Sequence, residues 1–177
     1  MLDKLTEDQR RVLMIWFFFL VFLVVLFIIL AGHKITSKFK DEVDKNYSIV
    51  QDYSRYYTVI NILDKYYTAL NNESYDDVLK MLDTEYVNSE GINKDNIKEK
   101  LNKYDVRTTY KGSLMCSKKL GKGYTSYYVS GEVVGTNTIK TFDTTLYEVV
   151  LNENEMTFSI KQIDDSQFGG DCHAWFY

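Results

Sequence analysis

The sequence predicts an α+β protein with one N-terminal transmembrane helix, followed by a domain of three helices and a four-stranded antiparallel sheet. Residues 12–31 form a wholly apolar run. Neither glycine nor proline occurs between Gly32 and Gly91, where apolar residues recur at helical spacing. From Asp105 the apolar period shortens to two, which is typical of half-buried strands.

The apolar run contains 20 residues and no charged, amide or hydroxyl side chain. A helix of that length spans about 30 Å, the thickness of the hydrocarbon core of a bilayer. A helix also pairs its backbone groups internally, as lipid requires. We therefore expect residues 12–31 to be a membrane anchor, behind a short charged tail at residues 1–11. Its anchoring side chains are Val12, Trp16, Phe19, Phe22, Leu26 and Ile29.

A cleaved signal peptide is the alternative interpretation of this run. Its apolar region has about 7–15 residues and ends in a small-x-small cleavage site. The run here is longer, and Leu30-Ala31-Gly32-His33 matches that site poorly. The sequence therefore favours a retained anchor.

Lysines and arginines flank both ends of the run, so the count of positive charges does not fix the orientation of the anchor. The layout of the chain decides it instead. A short N-terminal tail before a large C-terminal domain is typical of a signal anchor with its domain outside the cytoplasm. In an oxidising compartment Cys116 and Cys172 can form one disulfide. Two buried free thiols are the alternative.

The net charge of −4 argues against nucleic-acid binding, which requires a basic patch or stripe. The lipid bilayer and other proteins of a membrane complex are the expected partners.

A long helix is predicted to follow the anchor, through a juxtamembrane helical linker at residues 32–46 and into a domain at residues 47–177. Its apolar positions alternate steps of four and three. They predict either a coiled-coil stalk that makes the protein a homo-oligomer, or a helix lying across its own sheet. The tyrosines favour the second. The positions are Ile49, Tyr53, Tyr56, Ile60, Leu63, Tyr67 and Leu70.

Two shorter helices complete the helical half. Ser74 is a candidate N-cap for a helix from Tyr75 to about Leu82. Asn93 is a plausible cap for a third helix from Lys94 to about Tyr104.

Four strands are expected after Asp105, joined by turns at residues 120–123, 135–137 and 152–155. In the first strand the alternation puts Tyr110, Leu114 and Cys116 on one face. In the second, Tyr127, Val129 and Val133 point inward, and Gly131 suggests a bulge or bend. The third strand is expected at residues 138–151 and the fourth at 156–163.

The C-terminal tail is too aromatic for a solvated end. We expect Phe168, Trp175, Phe176 and Tyr177 to pack on the domain or on a partner protein.

Residues 66–78, YYTALNNESYDDV, resemble the opening of nuclear-transport-factor-like domains, in which a first helix ends, turns and leads into a second. The resemblance covers about residues 47–163 and implies a cone-shaped α+β fold. With one membrane helix in front, the chain is similar to the bitopic assembly factor of type IV secretion and conjugation machines. That resemblance implies an assembly contact without catalysis.

Enzymes on this fold place an acidic residue inside the cone, and Asp143 near Tyr110 and Tyr127 is the candidate group. The two histidines, His33 and His173, fall outside the cone. Asp171-Cys172-His173 offers metal-binding residue types, but adjacent residues cannot all face one ion. We assign no catalytic, cofactor-binding or metal residue.

The sequence therefore predicts a single-pass cell-membrane protein that acts as a non-enzymatic scaffold, in a bacterial secretion or conjugation assembly. The alternatives are a membrane-tethered module that binds a small ligand, and an enzyme of the isomerase or dehydratase type.

Overall fold

The computed structural model describes residues 14–27, 44–167 and 172. The chain divides into two compact units, Met1–Asp41 and Glu42–Tyr177, and each is described by itself. In the first unit, residues 14–27 are helical and form α1. All 14 of its side chains are apolar and exposed, by 41% to 73%. Among the described residues, no helix combines the length and the hydropathy that a bilayer crossing requires.

The second unit is an α+β domain built on one antiparallel sheet with the strand order β1-β2-β3-β4-β5. This confirms the α+β class. The predicted counts of four strands and three helices are wrong, because β1 and α4 were not foreseen. The elements are β1 (Ser48–Ile49), α2 (Tyr53–Asn71), α3 (Tyr75–Met81), α4 (Thr84–Ser89), α5 (Ile97–Leu101), β2 (Thr108–Gly121), β3 (Tyr124–Gly135), β4 (Thr141–Asn152) and β5 (Thr157–Ile163), with a 3-10 turn at Asp165–Gln167.

The predicted continuous helix through residues 32–70 is interrupted before α2. Asp44 and Val50 donate backbone hydrogen bonds to the edge of β2, at Lys119 O (3.1 Å) and Met115 O (2.9 Å). Asp52 then accepts a bond from the backbone N–H of Ser54 and caps α2. Residues 44–46 of the predicted linker are therefore not helical, and residues 32–43 lie outside the described part. Strand pairing satisfies backbone groups that a helix would have satisfied internally.

Helix α2 lies on its own sheet, as the second interpretation of its apolar spacing predicts. Its buried side chains join the main core with residues of β2, β3, β4 and β5. Two polar side chains of α2 also bind β2: Tyr56 donates to Gly112 O (2.9 Å), and the Asn71 amide exchanges two bonds with the backbone of Thr108. The buried residues of α2 are Val59, Ile62, Leu63, Tyr66, Tyr67, Ala69 and Leu70.

A β-bulge in β2 decides which face each later residue of that strand occupies. The pairing of β2 with β3 shifts between Gly112 and Leu114, opposite Gly131, where an added Cβ would strike Lys111 O. The extra residue reverses the alternation. Tyr110 therefore joins the main core, whereas Cys116 lies in a second cluster. The prediction that they share one face is wrong.

Most other predicted elements are present, with shifted ends. Ser74 precedes α3, but its side chain makes no capping hydrogen bond. The third predicted helix is shorter and runs only from Ile97 to Leu101. The three hairpin turns of the sheet lie where the sequence predicts them, and Tyr127, Val129 and Val133 are buried in the main core.

Candidate functional site

The structure describes four of the six predicted anchor residues. Trp16, Phe19, Phe22 and Leu26 lie in α1 with their side chains exposed. Val12 and Ile29 lie outside the described residues, as do Phe168, Trp175, Phe176 and Tyr177 of the predicted interaction tail.

The space between α2 and the sheet is filled by buried tyrosines, which we call the tyrosine cluster: Tyr66, Tyr67, Tyr110 and Tyr147. Tyr67 stacks on Tyr110 with their ring centroids 5.9 Å apart. Tyr147 contacts the other three rings edge-on, at 5.2 to 6.3 Å. Aromatic rings in these offset and edge-to-face arrangements fill a core with defined geometry.

The hydroxyl groups of Tyr67, Tyr110 and Tyr147 find partners inside the protein. The oxygens of Tyr67 and Tyr147 lie 2.7 Å apart and are buried. Tyr110 donates to the backbone oxygens of Thr145 (2.7 Å) and Val129 (3.2 Å). These bonds use hydroxyls that a ligand between α2 and the sheet would otherwise contact.

Replacing Tyr147 by phenylalanine is expected to lower the free energy of unfolding by about 1–3 kcal/mol, because the buried Tyr67 hydroxyl loses its partner. Replacing both residues leaves neither hydroxyl unpaired, so the double variant should cost less than the sum of the single changes. Urea denaturation of the four proteins measures this coupling. Tyr53→Phe, at a side chain 78% exposed, is the matched control. Strictly additive effects would contradict the pairing.

Burial is the main cause that raises the pKa values of these tyrosines. It raises the pKa of Tyr67, Tyr110 and Tyr147 above the ordinary value of 10.0. Neighbouring phenols add to the effect at Tyr110 and Tyr147, whereas the hydrogen bond with Tyr147 partly offsets it at Tyr67. Outside the cluster, burial raises the pKa of Tyr86 and of Tyr127 to about 12. The neutral phenol is therefore strongly favoured in the folded protein.

The domain is expected to unfold cooperatively between pH 10 and about pH 12. A tyrosine with a raised folded pKa stabilises the fold fully below the unfolded pKa of 10.0, and this stabilisation is lost as the pH rises towards the folded pKa. Parallel pH titrations of tyrosinate absorbance and circular dichroism should show one shared transition. Ionisation of most tyrosines near pH 10, with unchanged circular dichroism, would contradict the burial of these phenols.

Among the described residues, Asp143, Tyr110 and Tyr127 of the candidate enzymatic group bond to other partners and not to one another. The Asp143 carboxylate is 43% exposed and lies 3.5 Å from the Lys103 ammonium. Tyr110 binds backbone oxygens, as given above, and Tyr127 donates to the Glu153 carboxylate at the β4–β5 turn (3.2 Å). The sequence could not show whether the Asp143 side chain points inward or outward. The pairing of β3 with β4 shifts by one residue beside Val133, the partner of Asp143, so simple alternation along β4 does not hold there.

The two cysteines are joined in a disulfide, with Cα atoms 6.2 Å apart. Both are buried, and they pack with Leu146 and Ile163 on the sheet face opposite α2. The disulfide fixes residue 172 to this outer face, 56 positions along the chain from Cys116. The Cys172 sulfur is therefore not a free thiolate for a metal ion at residues 171–173, and His33 and His173 lie outside the described residues.

A polar network lies on the same outer face. Ser126 donates to the buried Glu148 carboxylate (2.5 Å), which also pairs with the Lys161 ammonium (2.6 Å). Tyr47 bonds to the Ser126 hydroxyl (3.0 Å) and stacks on Tyr128. Burial lowers the pKa of Lys161, but the bond to Glu148 and nearby anionic groups outweigh it and raise that pKa. Sequence analysis missed this network.

The sequence did contain a signal for this network, which is the opposite charge of two residues that pair between β4 and β5. Glu148 lies directly opposite Lys161 once the turn at residues 153–156 fixes the register. Opposite charges at paired positions are favourable in antiparallel sheets.

In comparisons with known proteins, no protein family, curated protein or solved structure matches the chain.

Proposed function

We propose that the chain is a single-pass membrane protein whose extracytoplasmic domain is a non-enzymatic scaffold, and that it assembles with other membrane proteins of a bacterial secretion or conjugation machine. The proposal includes the nuclear-transport-factor-like character of the domain, in which a helix crosses a curved antiparallel sheet.

The observation that carries the proposal is α1, in which every side chain is apolar and exposed. Exposed apolar surface on this scale marks contact with lipid or with another protein. The apolar sequence extends beyond α1 on both sides, at residues 12–13 and 28–31. Together they make the 20 residues that a bilayer-spanning helix needs.

The disulfide supports the location of the domain outside the cytoplasm. Structural disulfides persist in oxidising compartments and are rare in the cytosol. The Cys116–Cys172 bond is buried within the domain, as a structural bond is.

The filled interior supports a scaffold over a ligand-binding module. A small-ligand site is a concave cavity lined by apolar and a few polar groups. Between α2 and the sheet, the tyrosine cluster occupies that space; the hydroxyls of Tyr67 and Tyr147 bond to each other, and that of Tyr110 bonds to backbone oxygens. The half-exposed Asp143 carboxylate pairs with Lys103, and Tyr110 and Tyr127 bond to other groups, which likewise supports a role without chemistry.

The test is brief cross-linking of native membranes, gentle detergent extraction of the full-length chain, and mass spectrometry of what co-purifies. A reproducible set of membrane proteins and ATPase components is the expected result. A Phe19→Lys/Leu26→Lys variant, altered only in α1, is the control and should lose that set. Recovery of the chain alone, or only with copies of itself, would contradict the scaffold role.

A further inference from the structure

The turn between β2 and β3 carries a concentration of positive charge, which we call the lysine tip: residues 118–124, KKLGKGY. It contains three lysines and no acidic residue. Lys119 and Lys122 are exposed, and Lys118 is half-buried with its ammonium 5.6 Å from the centre of the Tyr47 ring. In the described part of the chain, none of the three ammonium groups has a carboxylate within salt-bridge distance. The lysine tip is therefore able to bind an anionic surface.

Exposed apolar side chains lie among these lysines. Leu120 is the extra residue of a β-bulge, because the pairing of β2 with β3 shifts between Lys119 and Gly121. Its side chain is 43% exposed, and that of Tyr124 is 42% exposed. Tyrosine rings favour the headgroup level of a bilayer, and lysines beside them lay their alkyl stems on apolar groups while the ammonium stays in water. The combination at the lysine tip fits a lipid surface.

Three acidic residues belong to the segments that bond to the lysine tip, and the domain itself engages two of them. Glu153, in the adjacent β4–β5 turn, pairs with the Arg55 guanidinium (3.7 Å) and accepts bonds from two hydroxyl groups of β3. The Asp44 carboxylate accepts a bond from the backbone N–H of Lys119 (3.1 Å). The third, Glu155, has no such partner among the described residues. Three ammonium groups therefore accompany one unengaged carboxylate, and the charge of this end of the sheet is mainly positive.

The lysine tip also lies where the chain enters the domain. Asp44, the first described residue of the domain, donates its backbone N–H to Lys119 O (3.1 Å). The 12 residues 32–43 connect this point to the apolar run. Even a fully extended connection of that length spans only about 45 Å. The β3–β4 turn is at the other end of the 12-residue strand β3, about 40 Å farther along the sheet.

We propose that the lysine tip binds the anionic headgroups of the bilayer in which the apolar run is anchored. Leu120 and Tyr124 enter the interfacial layer, and the three lysines lie against lipid phosphates. The inference rests on the proposed membrane anchor and adds a second, electrostatic contact to it. Each lysine near an anionic surface strengthens binding about fivefold. The contact turns the β2–β3 end of the sheet towards the lipid and leaves the β3–β4 turn to partner proteins.

The test is photolabelling of the full-length wild-type chain in lipid nanodiscs, followed by mass spectrometry of the labelled peptides. One lipid probe carries a diazirine on its headgroup, and a second carries it on its acyl chain. In phosphatidylglycerol discs we expect the headgroup probe to label residues 118–124 and the acyl probe to label α1, with neither at the β3–β4 turn. In phosphatidylcholine discs the label on the lysine tip should fall about tenfold, because the anionic charge is absent, whereas the label on α1 should stay.

Removal of the three positive charges tests the same contact from the protein side. In phosphatidylglycerol discs, tip labelling should fall about tenfold or more in the variant Lys118→Gln/Lys119→Gln/Lys122→Gln. The matched control loses the same charge at exposed lysines elsewhere in the domain and should keep its tip labelling: Lys65→Gln/Lys111→Gln/Lys140→Gln. Thermal melting of both variants checks that they are folded.

The two probes separate failure of this contact from failure of the anchor. A labelled α1 with an unlabelled lysine tip would overturn the lipid contact and leave the anchor standing. Tip labelling that is equal in both lipids and in the charge-removed variant would do the same. Loss of the acyl-chain label from α1 would overturn the anchor, and the contact that rests on it.

Discussion

Replacing Cys116 and Cys172 together by alanine is expected to lower the free energy of unfolding of the domain by about 4 kcal/mol. The disulfide closes a loop between residues 56 positions apart, and this restricts the unfolded chain far more than the folded one. For a domain of this size, that loss should lower Tm by about 10–20 °C. Thermal denaturation followed by circular dichroism measures it.

Wild-type protein treated with a thiol reductant is the matched control, because it loses the same bond and keeps both sulfur atoms. Its Tm should fall close to that of the double variant. A double variant that melts within about 3 °C of the oxidised wild type would mean that the loop adds little to the entropy of the unfolded chain.

Lysines at Phe19 and Leu26 are expected to release the protein from membranes. The two positions lie seven residues apart and so share one side of α1. Each lysine near the centre of a membrane helix costs about 3 kcal/mol, so the pair opposes insertion by about 6 kcal/mol. The measurement is the fraction of chain that remains in the membrane pellet after an alkaline carbonate wash.

A Phe19→Leu/Leu26→Phe variant, which keeps the apolar character, is the control and should stay in the pellet. Equal retention of the lysine variant and the wild type would show that α1 does not hold the protein in the bilayer. The Tm of the domain should be the same in all of these proteins, which excludes misfolding as the cause of release.

The sequence predicted the class of the domain and most of its strands, because alternation and turn residues are local signals. It could not show which face of the sheet the Cys116 side chain occupies. A single extra residue at the Gly112–Leu114 bulge reverses that direction, and no local feature of β2 shows on which side of the reversal a residue falls.

The start of α2 was missed for a different reason. Residues 44–50 contain neither glycine nor proline, so no local signal marked a break in the predicted helix, and they are extended where the edge of β2 offers backbone partners at Lys119 and Met115. Tyr47, Ile49 and Val50 are residue types that strands favour, so local preference and tertiary pairing agree there.

The most direct test of the account is to locate the domain relative to the bilayer. In intact cells, a membrane-impermeant maleimide is applied to an Asn88→Cys variant, in which the new cysteine is exposed and the native pair is bonded. The account predicts labelling before permeabilisation, on chain recovered in the membrane fraction. Labelling only after permeabilisation, or recovery of the chain in the soluble fraction, would contradict a scaffold anchored by α1 outside the cytoplasm.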